Sequence, residues 1–441
     1  MTATADRPAA SAAAAIALFA TLVAAYLLSQ FLRNSIGVIA PDIAAEMNIP
    51  AAEIGVLSSA FFFAFAAVQL PLGVAIDRFG AKRCMLVCTA VVVVSALMFA
   101  WGRTPTELTT ARVIMGVGTS CYLIAPLALY AQRFAPDRFA MLAGLHMAVG
   151  TLGTLLATAP LAYAAAAAGW RAAFVGVAAV MGLVGLLIAL VVREPVPAVP
   201  AQRETLAESI LGIRAAMRIP SVGRLFLMQM STYSSFALFV GLWGGPYLSH
   251  VYGYGLTGRG NLLLVAAIAQ VLGLTLYGWS DRAFGGYRAP VALGALVTAG
   301  FFALLAIAGQ LAREPLLVWL VGFGAVCGFT PVVIAHGKAL FPPELVGRGM
   351  TLLNMGSMGG VFVTQSITGL AIDLFAATNG VYPLASYRLV FALQAAFLVV
   401  TAALYLTARD PLGDSRPDGR PATAGPSAEP AVAPKSRSEL N

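Results

Sequence analysis

Two arginines stand inside long apolar runs of this sequence, where a charge is costly and usually functional. Arg33 follows AAYLLSQFL and precedes Pro41 by eight residues. On a helix rising 1.5 Å per residue, that puts it ~12 Å from the end of its run. Tyr26, Gln30 and Arg33 recur at i, i+4 and i+7, so one face of this helix is polar. Arg112 lies about one turn inside a later run, where it can reach outer water or Glu107. No Asp or Glu occupies the middle of any run. If both arginines face a common hollow, they lack a fixed carboxylate and an anionic ligand becomes the natural counterion. The planar fork of Arg suits a carboxylate better than Lys does. The opposing reading has both bonded to carbonyls and water, with a neutral ligand.

His146, near the middle of another run, is the remaining titratable group in a run core. It could take up a proton, or serve as a neutral hydrogen-bonding residue. Tyr233, in STYSS, and Asn354 are binding-site candidates on polarity alone. Ser120 with His146 would be the raw material of an intramembrane enzyme, but nothing around them resembles a serine-hydrolase motif. No enzymatic activity is expected. Cys84 and Cys88 stand one turn apart without a His or a second pair nearby, so they read as small hydrophobes. No metal, cofactor or disulfide framework is implied.

The elements that must position these residues follow from composition. Of 441 residues, 59% are hydrophobic and 10% charged, whereas a soluble domain carries about a quarter charged residues. Runs long enough to cross a ~30 Å hydrocarbon core recur at 13–40, 54–76, 84–102, 108–131, 139–162, 172–192, 222–248, 260–280, 289–310, 316–340, 349–372 and 388–408. The chain reads as an all-α membrane protein with twelve transmembrane helices. The first run is too long for a signal-peptide core and lacks a clear cleavage site, so it reads as an uncleaved span. With the N-terminus inside, cytoplasmic segments hold 20 of the 27 Lys and Arg residues and outer loops five. That is the positive-inside asymmetry, and it predicts both termini in the cytoplasm. The net charge of +8 therefore reports topology, and nucleic acid is not an expected partner.

The chain also repeats itself. DRFG at Asp77 answers DRAFG at Asp281, GVGTSCYLIAP from Gly116 answers GFGAVCGFTP from Gly322, and LHM at Leu145 answers LNM at Leu353. Ordered matches at a near-constant offset predict two six-helix halves, as in many transporters. The expected divisions are a cytoplasmic N-terminus (1–12), an N-terminal bundle (13–192), a linker (193–221), a C-terminal bundle (222–408) and a disordered cytoplasmic tail (409–441). Within the linker, Leu206, Ile210, Ile213 and Met217 recur at helical spacing, which predicts an amphipathic helix on the membrane face.

Between the second and third runs, GVAIDRFGAKR packs Asp77, Arg78, Lys82 and Arg83 into seven residues. Two six-span halves with this G-x-x-x-D-R-x-G-x-[KR]-[KR] loop resemble the major facilitator superfamily. Gly73, Asp77, Arg78, Gly80, Lys82 and Arg83 match the signature throughout. A degenerate copy at Gly278, Asp281, Arg282, Gly285 and Arg288 falls where the family places it, and Arg112, Gly116 and Gly118 match a second signature. The resemblance implies two pseudo-symmetric bundles and secondary active transport by alternating access. It implies a multi-pass protein of the bacterial inner membrane, expected to be monomeric, with a small molecule, lipid and a coupling proton or counter-ion as its partners.

The loop then reads as a cytoplasmic gate. Asp77 would face the positive N-terminal end of the eleventh span when the gate is shut, Gly73 would allow close helix approach, and Gly80 a tight turn. Arg33 before its Pro looks like the organophosphate and organic-anion porters. The phosphate-ester carriers pair it with a second Arg where this chain has Ala237 or Leu238, so a monocarboxylate is the expected cargo. Proton-driven efflux of drugs or sugars is the rival. It lacks the intramembrane acid such exporters need, and Ala159-Pro160 is only a reduced form of their span-five pattern.

Overall fold

In hydrocarbon every backbone polar group must be satisfied within the chain, and the apolar runs do so as helices. The computed structural model describes residues 12–134, 136–193, 205–278 and 280–414. Among these, regular structure is helical apart from an isolated bridge between Thr378 and Val381. The first passage is α1 (Ala12–Asn34) with α2 (Ile36–Met47), the second α3 (Ala51–Phe79) and the third α4 (Ala81–Trp101). The fourth is α5 (Pro105–Thr119) with α6 (Cys121–Arg133). The fifth is α7 (Pro136–Leu156) and the start of α8 (Ala159–Val191). Gly169, at φ 84°, divides α8, so the fifth passage runs past its expected end at 162 and the rest of α8 is the sixth. After α9 (Leu206–Met217), the seventh passage is α10 (Val222–Leu238), a π-helical turn (Phe239–Trp243) and α11 (Gly244–Tyr252). The eighth is α12 (Leu256–Tyr277), followed by the short α13 (Ser280–Phe284), and the ninth is α14 (Arg288–Ala308). The tenth is α15 (Arg313–Val326) with α16 (Thr330–Leu340), the eleventh α17 (Val346–Ile372) and the twelfth α18 (Leu384–Leu406). Large apolar side chains such as Leu276, Ile307 and Val318 remain exposed, which suits a surface bathed in lipid.

Several passages break part-way along their length, and at two of these breaks the cause is local. Ser35 Oγ donates to the Leu32 carbonyl (3.0 Å), Ser120 Oγ to Val117 (2.6 Å) and Thr119 Oγ1 to Met115 (2.8 Å). Such back-bonding competes with the helical ladder and bends it. Gly80, at φ 89°, makes the sharp turn between α3 and α4 that its sequence context predicts. Lys82 Nζ fastens that turn to the Ala189 carbonyl of α8 (2.7 Å).

Lys82, Arg83 and α9 mark one end of the bundle, the basic face, and the far face lies opposite. On the far face the two halves touch closely. A Cβ on Gly37 would lie 2.0 Å from the Val240 carbonyl oxygen, and one on Gly245 would lie 1.9 Å from that of Gly37. Arg259 of α12 donates to the Val38 carbonyl (2.8 Å) and pairs with Asp42 of α2. Tyr382 donates to Asp373 (2.6 Å). Burial, together with that hydrogen bond, raises its hydroxyl pKa to about 12, so it stays a donor.

Toward the basic face the halves separate. A Cβ on Gly73 would meet nothing within 4 Å, so the close approach expected there is absent in this conformation. Asp77, Arg78 and Arg83 are exposed, with Arg78 over the Phe79 ring (5.4 Å). Arg282 is exposed on α13, and the side-chain surroundings of Asp281 lie outside the described residues.

The linker helix forms as expected, started by a reciprocal capping box between Thr205 and Glu208. It turns Ser209, Gly212 and Ala216 inward, while Leu206, Ile210 and Met217 are exposed. Residues 1–11 and 194–204 lie outside the described residues. The tail expected to be disordered from residue 409 instead holds Asp410 buried at 2% exposure. Its carboxylate accepts from the backbone N–H groups of Tyr287 (2.8 Å), Arg288 (2.9 Å), Leu412 (3.2 Å) and Gly413 (3.1 Å). Residues 415–441 lie outside the described residues.

Candidate functional site

Between the halves lies a cavity of about 720 Å³, reaching from Tyr26, Gln30 and Arg33 toward Ala131, Phe139 and Met350 at the basic face. Its volume is within the ~300–1,000 Å³ range of small-molecule sites. The polar stripe of α1 faces it as the i, i+4, i+7 spacing predicts, with all three residues in the wall. Tyr233 of α10 and Asn354 of α17 line it from the other half. Thr119 and Ser120, at the break of the fourth passage, lie in the wall as well.

Arg33 is the single charged side chain among the described residues lining the cavity. It is 7% exposed and makes no ion pair among the described residues. Its guanidinium lies 4.7 Å from the Phe65 ring centre and 5.9 Å from that of Tyr233. One ring comes from each half, so Arg33 sits at the seam. Its Nε has no hydrogen-bond partner among the described residues. A desolvated guanidinium resting on ring faces keeps its forked edge available to grip an incoming anion.

Arg112 does not line the cavity. It is fully buried, donates from Nη1 to the Leu32 carbonyl (2.7 Å) and lies 4.5 Å from the Phe61 ring centre. It reaches neither outer water nor Glu107, whose carboxylate caps its own helix at Arg103 and Thr104. The expectation of a second ligand-facing arginine is therefore corrected: helix rotation points Arg112 at the bend of the first passage.

His146 is also outside the cavity wall and fully buried. Its Nε2 is 3.1 Å from the Tyr122 carbonyl oxygen, which can only accept, so Nε2 carries the proton and Nδ1 accepts from the Tyr130 hydroxyl (3.1 Å). That neutral tautomer is fully satisfied. The ring stacks on Tyr26 with centroids 5.0 Å apart, so His146 backs a cavity residue. One turn further along α7, Gly150 leaves room for Tyr26, since a Cβ there would lie 1.9 Å from the Tyr26 ring.

The cavity also contains residues that sequence reasoning passed over. Gln69, Gln229, Gln270 and Ser357 line it, and Gln229 Nε2 donates to Ser357 Oγ (2.6 Å). The side-chain oxygens of Gln30, Gln69 and Gln229 have no partner among the described residues. A lone amide in an apolar run is the signal that singled out Asn354, and it would have found these glutamines. Phe65 carried no such signal. Among the described residues no cluster of His, Cys, Asp and Glu could hold a metal, and all four cysteines are free and buried.

A family model of the Major Facilitator Superfamily matches residues 22–312. The chain belongs to the Major Facilitator Superfamily. It is a multi-pass membrane transporter, not an enzyme, and its helices follow the superfamily's two-bundle plan. The probable sulfoacetate transporter SauU of Cupriavidus necator is 29% identical over 157 residues, covering 35% of this chain. That alignment spans 36% of the relative's length, little more than a third. The uncharacterized transporter YybO of Bacillus subtilis is 21% identical over 378 residues, 79% of this chain and 85% of YybO. Among solved structures, a mutant of the nucleoside transporter NupG superposes with TM-score 0.73 at 16% identity, covering 88% of this chain and 98% of that one. A bacterial homologue of the human lysosomal transporter Spinster gives 0.71 at 18% identity, covering 90% and 97%. At these identities the superfamily fold is what is shared. The cavity of this chain carries one arginine on a largely apolar wall.

Proposed function

We propose that this transporter carries a small organic anion, a monocarboxylate with an apolar body, by alternating access. The observation that carries the reading is Arg33, a nearly buried cavity guanidinium with no acid paired to it among the described residues. A carboxylate docked on its fork would supply the missing counterion through charge-assisted hydrogen bonds. Leu123, Ile124, Leu127, Phe236 and Met358 offer the body an apolar wall, and the glutamines accept or donate to any polar substituent. The partial similarity to a probable sulfoacetate transporter is in keeping with an organic anion.

In this reading the far face is the outer one, the structure is the inward-facing state, and both termini lie in the cytoplasm of a bacterial cell. Asp77, Arg78, Gly80, Arg83, Asp281 and Arg282 then belong to the inner gate, which the separated halves leave open. The apolar wall also favours one other cargo, a lipophilic compound moved outward.

The test is a thermal-shift screen of the purified protein against carboxylates, sulfonates, sugars and lipophilic amines, because a ligand that binds the folded state raises its melting point. A carboxylate or sulfonate shift that disappears in Arg33→Gln supports the anion. A shift by amines alone, unchanged in that variant, overturns it.

A further inference from the structure

On the far face one acid joins the two halves end to end. α17 stops at Ile372, and the next residue, Asp373, lays its carboxylate across the first turn of α3. Oδ1 accepts from the Ala51 N–H (3.0 Å) and Oδ2 from the Ala52 N–H (2.9 Å). The Tyr382 hydroxyl donates to Asp373 Oδ1 (2.6 Å), and its oxygen also lies 2.9 Å from the Ala51 nitrogen. The first N–H groups of a helix have no intrahelical partner and are normally capped by a side chain just before them. Here that position is Pro50, which makes no side-chain cap. The cap of α3 comes instead from the opposite half of the molecule.

From that point the two helices run antiparallel in contact. Gly55 packs on Gln365 and Gly369, Ser366 Oγ donates to Ser59 Oγ (2.9 Å), and the Phe63 and Phe362 rings are 5.1 Å apart. Beyond this they part around the cavity, with Gln69 on one wall and Asn354 on the other. Continued in the same register, the pairing brings residue 77 opposite residue 348, in the first turn of α17. An acid thus stands at the C-terminal end of each helix, level with the N-terminus of the other.

We propose that Asp373, with Tyr382, is the latch of the far gate, and that its trans cap on α3 sets the balance between the two states of the transport cycle. The negative carboxylate is favoured at the positive end of the α3 dipole. The contact exists only while the far ends are together, and α3 has no cap of its own to replace it. Opening the far side must leave these N–H groups to water. Asp77 occupies the matching place for the basic face, so the two acids bias the carrier in opposite directions. The proposal rests on the alternating-access reading.

The test uses the full-length protein in lipid nanodiscs, spin-labelled at Thr106→Cys and Glu314→Cys, which are exposed on opposite halves of the far face. The four native cysteines are buried. Pulsed dipolar spectroscopy then gives the populations of short and long far-face distances. Asp373→Asn is expected to raise the long-to-short ratio about 5-fold or more, with a smaller rise in Tyr382→Phe. Ala51→Pro deletes the N–H without touching the acid. Proline suits the first helical position, and Pro50 already has the extended ψ of 167° that a following proline requires. The same shift in Ala51→Pro supports the latch even if Asp373→Asn does not fold. Parental distances in Ala51→Pro and in Tyr382→Phe, in a parent that shows trans-accelerated counterflow, overturn the latch alone. A parent with one unchanging distance and no counterflow overturns alternating access as well.

Discussion

Arg33 and His146 both lie deep in apolar sequence, yet their surroundings assign them opposite behaviour. Arg33 has rings on its faces and an unpaired Nε, so its charge awaits a partner. Truncating one member of a buried, hydrogen-bonded charge pair costs about 2–5 kcal/mol, which is roughly 30- to several-thousand-fold in affinity. Arg33→Gln is accordingly expected to weaken carboxylate binding by that factor, while circular dichroism and the unliganded melting point stay near those of the parent. Arg33→Lys keeps the charge but loses the fork, and its affinity should fall between the two. Equilibrium binding of a labelled carboxylate measures all three. His146, by contrast, has both ring nitrogens engaged in a neutral tautomer. His146→Gln should retain the parent's pH–transport profile at reduced melting temperature. Loss of the acidic limb in that variant would make the imidazole the coupling-proton carrier after all.

At the scale of elements, what could be read in advance is what depends on one helix at a time. The spacing of Tyr26, Gln30 and Arg33 fixes a shared face whatever the neighbours are, and α9 follows from a capping box and an apolar period. The rotation of α5 does not follow, because Thr106, Glu107, Thr109, Thr110 and Arg112 fall all round its axis and define no single face. That is why the sequence places Arg112 about one turn inside its run but does not show it turned away from the cavity. Phe65 and Gly150 matter only through Arg33 and Tyr26, partners on another helix, and the cap from Asp373 to Ala51 joins chain positions far apart.

The 409–414 turn is a similar case: a composition that reads as tail is held by an acid under a loop. Burial pushes the Asp410 pKa up, but the N–H groups of Arg288, Gly413 and Tyr287 outweigh it and leave it below the ordinary carboxylate range. A depressed folded-state pKa gives stability that is present above the unfolded-state value, near 3.9, and lost as pH falls through the folded-state value. Asp410→Asn forces an amide donor against backbone donors and should cost about 1–3 kcal/mol. Thermal denaturation at pH 7 should show the full deficit. The gap from the parent should narrow only below about pH 4, and a gap that closed already near pH 6 would assign it to another group.

For the whole molecule, the same unpaired charge that binds cargo also governs how the empty carrier moves. To pass from one face to the other, the halves must close over the cavity, and Arg33 must then cross an occluded state with or without a counterion. Leaving a buried charge uncompensated costs about 3–5 kcal/mol, and each 1.4 kcal/mol is tenfold in rate or population. Water retained in a cavity of about 720 Å³ recovers part of that, so the penalty on the empty carrier is reduced but not removed. A bound carboxylate removes it. Exchange of one anion for another should therefore outpace net efflux from loaded proteoliposomes by about 10-fold or more. The ratio should fall toward unity in Arg33→Gln, where the empty cavity carries no charge to bury. The measurement is release of labelled carboxylate into buffer with and without unlabelled carboxylate outside. Equal rates in the parent would mean that the empty carrier returns freely, and that Arg33 finds within the occluded protein a partner of its own.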